Sequence, residues 1–365
     1  MLSNWLQPVQ KLLAEQAKSL HEEQLGRYLK IHTAGALPDL PKGSVALIGM
    51  HDKTADALRN ELYALSAPFG KLPIADLGNL RRKTDSFAIP LLKELLEGGV
   101  LPILLGKEAQ QLRALFQAEL QKQRALKLCL IDERMALLEK DPRTGKKSYL
   151  EEIAQWPPDK LFHLCLIGLQ AHLVRPGQFA WLEERQFSFL RLGQLRDDIM
   201  EAEPFLRDAD LLGFHLSALK MNEAPGVKCA TPNGLYAEEA CRLARFAGMS
   251  DKLSAFALFG LHLPLDRNNQ SVQIAAQIIW YFMEGVSRRV KDYPFSTDQM
   301  TEYVIPLPQE QVELSFWKSE KSGRWWFQPL HHKEETEKRH RLVPCTYQDY
   351  LKAASGEWPE KLFPK

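Results

Sequence analysis

Short, almost wholly apolar runs alternate with stretches of helical periodicity between residues 45 and 259, and no other feature constrains the fold of this chain as tightly. Val45-Ala-Leu-Ile-Gly49, Leu101-Pro-Ile-Leu-Leu105 and Lys127-Leu-Cys-Leu-Ile131 are the first clear runs. His163-Leu-Cys-Leu-Ile-Gly168, Asp210-Leu-Leu-Gly-Phe-His215 and Ser254-Ala-Phe-Ala-Leu-Phe259 repeat the form. A strand apolar on both faces must be covered on both faces, which is the condition of a parallel sheet between two helix layers. The intervening periodicity predicts helices over 88–97, 109–122 and 236–247. The last opens just after Pro232-Asn-Gly and stops before Gly248, as start and stop chemistry requires. A long apolar-faced helix over 271–291 closes the domain. The expectation is a three-layer α/β/α fold with a mostly parallel sheet.

Residues 3–29 have the pattern of an amphipathic helix, with Trp5, Val9, Leu12, Leu13 and Leu20 at helical spacing. This places a helical segment at 1–39, packed on an α/β domain at 40–293. Beyond residue 294 the texture changes. Tyr303-Val-Ile-Pro306 and Gln311-Val-Glu-Leu-Ser-Phe-Trp317 read as strands, and Ser319-Glu-Lys-Ser-Gly-Arg324 turns into Trp325-Trp-Phe327. The stretch 294–365 is thus a small hairpin and tail extension, with a charged linker over 333–341. Trp317, Trp325 and Trp326 form either a partner-binding surface or a cap on the main core. His331-His332 and the charges after them read as a solvated linker.

The chain of 365 residues carries 47 basic and 46 acidic side chains, so it has no electrostatic footprint for nucleic acid or an anionic membrane. No window approaches the ~20 consecutive apolar residues of a membrane span. Five scattered cysteines without a CxxC fit buried thiols in a reducing cytoplasm, and no apolar leader follows the first charges. A cytoplasmic protein is expected.

In an open α/β sheet, ligands gather beyond the carboxyl ends of the strands, and three of these ends share a pattern. Gly213-Phe-His-Leu-Ser-Ala-Leu-Lys-Met-Asn-Glu-Ala-Pro-Gly226, continuing to Thr231-Pro-Asn-Gly-Leu235, resembles the ureohydrolase (arginase, agmatinase, formimidoylglutamase) signature SFDxDxxDPxxxPGxxxPxPGGL. Pro102-Ile-Leu-Leu-Gly-Lys-Glu-Ala-Gln110 resembles PxxxGGDHS, and Leu130-Ile-Asp-Glu-Arg-Met-Ala136 resembles the strand ending in DAHxD. The resemblance spans roughly residues 40–290 and is nearest to formimidoylglutamase-like proteins. It implies an arginase-type fold, two manganese ions held by six side chains, and a homo-oligomer.

The six implied ligand positions fall on Ala109, Asp132, Arg134, Ala136, His215 and Ser217. Only Asp132 keeps its type. Two hard divalent cations need several anionic oxygens, so no metal, no cofactor and no catalytic residue is expected here. Without the metal pair no activated hydroxide forms. The implied guanidinium-binding Glu falls on Gly260 or Leu261, and the loop Asp141-Pro-Arg-Thr-Gly-Lys-Lys-Ser-Tyr-Leu150 offers no histidine for proton transfer.

Asp132 reads as a remnant ligand or as the partner of Arg134 or Lys107, the basic pair then occupying the space of the metals. His215 reads as a hydrogen-bonded structural histidine or, with Asp132 and His262, as part of a single transition-metal site. Cys229 reads as an inert thiol or a nucleophile near the cleft. Lys107 follows Gly106 at a strand-to-helix turn. With Arg134, Lys146 and Lys147 it makes either a small-anion pocket or a solvated turn. The leading functional expectation is a catalytically inactive ureohydrolase relative that binds a protein partner or a small anion. The alternative is a hydrolase of linear amidines with altered metal use.

Overall fold

The computed structural model describes residues 2–109, 111–120, 126–135, 137, 140–146, 148–157, 160–293, 297–307, 312–329 and 342–357. Ala136, Lys147, His331, His332 and the charged stretch 333–341 lie outside the described residues. Among the described residues fourteen strands are formed: β1 Leu6–Gln7, β2 Lys30–Ile31, β3 Val45–Gly49, β4 Ile74–Leu80, β5 Leu101–Leu105, β6 Leu126–Ile131, β7 Leu161–Leu169, β8 Ser188–Arg191, β9 Leu211–His215, β10 Ala255–Phe259, β11 Met300–Leu307, β12 Val312–Ser319, β13 Trp325–Gln328 and β14 Val343–Cys345.

The first ten strands form one sheet in the order β1-β4-β3-β5-β10-β9-β6-β7-β8, with β2 also beside β4. Every pairing is parallel except that of β1 with β4. Alternate side chains divide between two cores. Val45, Leu47, Ile103 and Leu105 face the helices Asp52–Tyr63, Ala237–Gly248 and Gln270–Ser287. Ala46, Ile48, Leu104 and Leu128 face Asp85–Glu97 and Gln111–Leu120. The expected α/β fold with a mostly parallel sheet is the one observed.

The single helix read over 3–29 is not formed. Pro8 lacks an amide hydrogen, and the chain before it pairs as β1 with Leu80 and Asn79. Helix then runs over Lys11–Ser19 and Leu25–Tyr28, and β2 follows.

Strand β4 is buried along its whole length although it contains Asp76 and Asn79. Both are satisfied by Arg59, which is itself fully buried. Arg59 Nε and Nη2 donate to the two Asp76 oxygens at 2.8 and 2.9 Å, and Nη1 donates to Asn79 Oδ1 at 2.6 Å and Asp56 Oδ1 at 3.0 Å. The Gly78 carbonyl and the Tyr63 hydroxyl complete the network.

The Pro225-Gly226 turn is tied to the start of the long helix. Gly226 N–H donates to Ser271 Oγ at 2.6 Å, and the Asp266 carboxylate accepts the Ser271 and Val272 amides at 2.9 and 3.1 Å. A Cβ on Gly226 would lie 2.7 Å from that of Asp266, so a side chain has no room there.

The C-terminal extension is larger than a hairpin. Strands β11 to β14 form a four-stranded antiparallel sheet in sequence order, and the helix Tyr347–Ala354 follows. Its tryptophans are not a free partner surface. Trp326 is fully buried and Trp325 is 7% exposed, while Trp317 Nε1 donates to Gln328. Arg207 joins the extension to the main domain: its Nη2 donates to the carbonyls of Trp325 and Cys345, and its guanidinium lies 4.3 Å from the Trp326 ring centre. Among the described residues no helix is long and apolar enough to cross a membrane.

Candidate functional site

The strand order β5-β10-β9-β6 places the carboxyl ends of four strands side by side, although they lie far apart in the sequence. Lys107 and Ala109 follow β5, Gly260 follows β10, His215 and Ser217 close β9, and Asp132 follows β6. The resemblance is therefore carried by one contiguous rim, with Phe259 beside His215 and Ile131 beside Phe214.

Asp132 pairs neither with Arg134 nor with Lys107. Its partner is Arg143, from the loop beyond β6. Arg143 is 5% exposed, and its Nη1 donates to both Asp132 oxygens at 2.8 and 3.0 Å and to Ser217 Oγ at 3.0 Å. The same nitrogen lies 3.6 Å from Glu133 Oε2. Its Nε and Nη2 donate to the two oxygens of Asp141 at 2.9 and 3.0 Å, and Asp141 also accepts the Arg143 amide. This bidentate grip presets the side chain so that its remaining nitrogen points into the cleft.

Arg134 turns to Glu133, whose Oε1 accepts from its Nε at 2.6 Å. The sequence reading of Arg134 or Lys107 as the partner of Asp132 is thus corrected to Arg143. Glu133 was missed because strict alternation would turn it away from Asp132. The β6 ladder ends at Ile131 and the chain bends at Glu133, so alternation no longer applies and both carboxylates are buried in the cleft. No sequence signal marks Arg143: its Asp-Pro-Arg-Thr-Gly loop does not state which strand end the side chain reaches.

Ser217 occupies the centre. Its hydroxyl donates to Glu133 Oε2, and its amide donates to His215 Nδ1 at 3.1 Å. The Oγ lies 2.5 Å from the same ring nitrogen. Burial, reinforced by Arg143 and opposed by Glu133 and Asp141, pushes the His215 pKa down to about 3, so the ring is neutral with Nδ1 as acceptor. Burial pushes the Asp132 carboxyl up and Glu133 adds to this, against the pull of Arg143. For Glu133 burial is outweighed by its hydrogen bond with Asp132 and by Arg143, His215 and Arg134, which hold it below the usual carboxylate range.

Beneath the His215 ring lies Gly260, at φ +99°, where an added Cβ would stand 2.7 Å from Cε1. Gly260→Ala is expected to destabilise the fold by about 2 kcal/mol through the strained backbone and to displace His215. Urea unfolding beside wild type checks this, and an unchanged midpoint would contradict it.

His215 also predicts a pH dependence. Its folded pKa is depressed, so its contribution is complete above the unfolded value of 6.5 and is lost as pH falls toward about 3. Between pH 6 and 4, wild type should lose roughly 1 kcal/mol per pH unit more than His215→Gln. Parallel stability curves for the two proteins would refute this assignment.

Asp132, Glu133 and His215 each bring a potential ligand atom within 4.8 Å of the others. They do not fit a pair of hard cations. Ala109, Arg134 and Ser217 supply no anionic donor. The three remaining groups are hydrogen-bonded to Arg143, Arg134 and Ser217, and a cation among them would meet the Arg143 guanidinium.

Outside this cluster opens a cavity of about 220 Å³. Lys107, Lys146 and Lys228 line it, and none of the three has a carboxylate partner among the described residues. His262 also lines it; among the described residues its Nδ1 is buried without a hydrogen-bond partner. The His262 pKa is lowered by burial and by Lys107 and Lys228. Lys107 and Lys146 therefore meet as the sequence suggested, Lys228 joins them, and Arg134 does not. Cys229 is exposed, with φ +57°, and its Sγ faces the Pro142 carbonyl at 3.7 Å.

Solved structures share this architecture. Formiminoglutamase from Trypanosoma cruzi, in a structure with manganese, aligns over 73% of this chain and 99% of its own at a TM-score of 0.62 and 15% identity. This is the arginase fold. Formimidoylglutamase from Bacillus subtilis aligns over 70% of this chain and 91% of its own, at a TM-score of 0.59 and 16% identity. Arginase from Bacillus subtilis aligns over 66% and 98%, at a TM-score of 0.54 and 14% identity. No protein-family model and no curated protein sequence matches the chain. The arginase fold of this chain thus carries Asp132, Glu133, Arg143, His215 and Ser217 at the strand ends, with a lysine-lined cavity above them.

Proposed function

We propose that this arginase-fold chain binds a small anion at the mouth of its cleft and does not hydrolyse amidines. The observation that carries the reading is Arg143, a buried guanidinium hydrogen-bonded to Asp132 and Ser217 where the resemblance implies metal ions. A fixed positive charge offsets the buried carboxylates but cannot polarise and deprotonate a water as a metal does. Three lysines without a carboxylate partner among the described residues, together with His262, line a small cavity, an arrangement suited to a carboxylate or phosphate-type ion.

A second reading, hydrolysis of linear amidines with altered metal use, draws on the mutual approach of Asp132, Glu133 and His215 and on the names of the similar structures. One pair of assays separates the two. Release of ammonia, formamide or urea from formimidoylglutamate, arginine and agmatine is followed with manganese present, and glutamate and orthophosphate are titrated calorimetrically. Binding of either anion, weakened in Lys107→Glu, with no turnover supports the first reading. Turnover that depends on Asp132 would establish the second.

A further inference from the structure

We propose a second anion site at the opposite end of the sheet, built for a ligand with two or more phosphate-type groups. A cavity of about 930 Å³ opens there. Its wall comes from the chain just before β3, β4 and β5 and from the segment after the helix Gln270–Ser287. These are the amino ends of the parallel strands, so the cavity is separate from the cleft at their carboxyl ends.

Five cations line it: Lys42, Lys71, Arg288, Arg289 and Lys291. Among the described lining residues the one carboxylate is Asp251, which already accepts the Asp292 amide at 2.9 Å. The two arginines have structural work. Arg288 donates to Glu284 at 3.0 Å, and Arg289 donates to the carbonyls of Gly248 and Leu253 at 2.9 and 3.0 Å. Cations after a helix C-terminus also complement its dipole, which accounts for their position.

The lysines have no such account. Lys42, Lys71 and Lys291 come from three separate segments, and none has a carboxylate within ion-pair distance among the described residues. Like charges gathered without partners around a concavity raise the local potential and attract a counter-ion. At Gly43 and Gly70 the wall is bare backbone, with nothing within 4 Å of where a Cβ would stand, so a ligand can approach the main chain. The spread of the cations and a volume four times that of the cleft cavity, about 930 against 220 Å³, favour a multiply charged anion over a single small one.

The test is calorimetric titration of the full chain with inorganic tripolyphosphate, and with orthophosphate for comparison. Wild type should bind one tripolyphosphate, and more tightly than orthophosphate. The double variant Lys42→Glu/Lys291→Glu should weaken binding roughly tenfold or more, through reversal of two nearby charges. Lys71→Glu should weaken it independently. Absence of saturable binding, or equal affinity in the double variant, would each overturn the proposal.

Discussion

Arg143→Met is expected to lower the unfolding free energy by about 3–5 kcal/mol, because it leaves buried carboxyl groups without their cation. Asp132 and Asp141 each lose two hydrogen bonds from the guanidinium, and Ser217 loses one. Arg143→Lys should recover little of this. A single ammonium cannot grip Asp141 and reach Asp132 and Ser217 together, which the planar fork does. Arg143→Met should also raise the affinity for manganese. With the guanidinium gone, Asp132, Glu133 and His215 are free to coordinate, and millimolar manganese should restore part of the lost stability of Arg143→Met by binding the native state. Urea unfolding with and without manganese measures both effects. A loss under about 1 kcal/mol would mean that Arg143 is not the internal counter-ion.

Arg59→Met should be comparably damaging, at about 3–5 kcal/mol, and for a reason unconnected with the cleft. Arg59 and Asp76 are both fully buried, and Asp56, Asn79 and Gly78 depend on the same guanidinium. Tyr63 adds a neutral bond to Asp76. Burial first, and then the Asp76 charge, push its pKa well up, so the hydroxyl stays a donor. Tyr63→Phe should therefore cost only about 1 kcal/mol. Thermal and urea unfolding of both variants check the ranking. Equal losses would show that the network is not centred on Arg59.

Six strands of the main sheet could be read from the sequence because each is a near-continuous apolar run, as burial on both faces demands. Strand β4 could not. Asp76, Gly78 and Asn79 interrupt its hydrophobicity, and the residue that satisfies them lies 17 to 20 positions earlier. Edge strand β8 has one buried position of four and so presents no run. In the site, Asp132, His215 and Ser217 were legible through the resemblance to the ureohydrolase signature, which implies ligand positions there. Arg143 was not, because nothing in a loop sequence states which strand end its side chain will reach. Its role emerges from tertiary geometry alone, through the turn that Asp141 organises.

Manganese titration of the wild-type chain, followed by calorimetry near neutral pH, tests the central claim most directly. If the Arg143 guanidinium holds the place of the metal charge, no saturable binding should appear at micromolar manganese. Stoichiometric binding of one or two ions at those concentrations would contradict the account, since Arg143 would then have to leave the cleft.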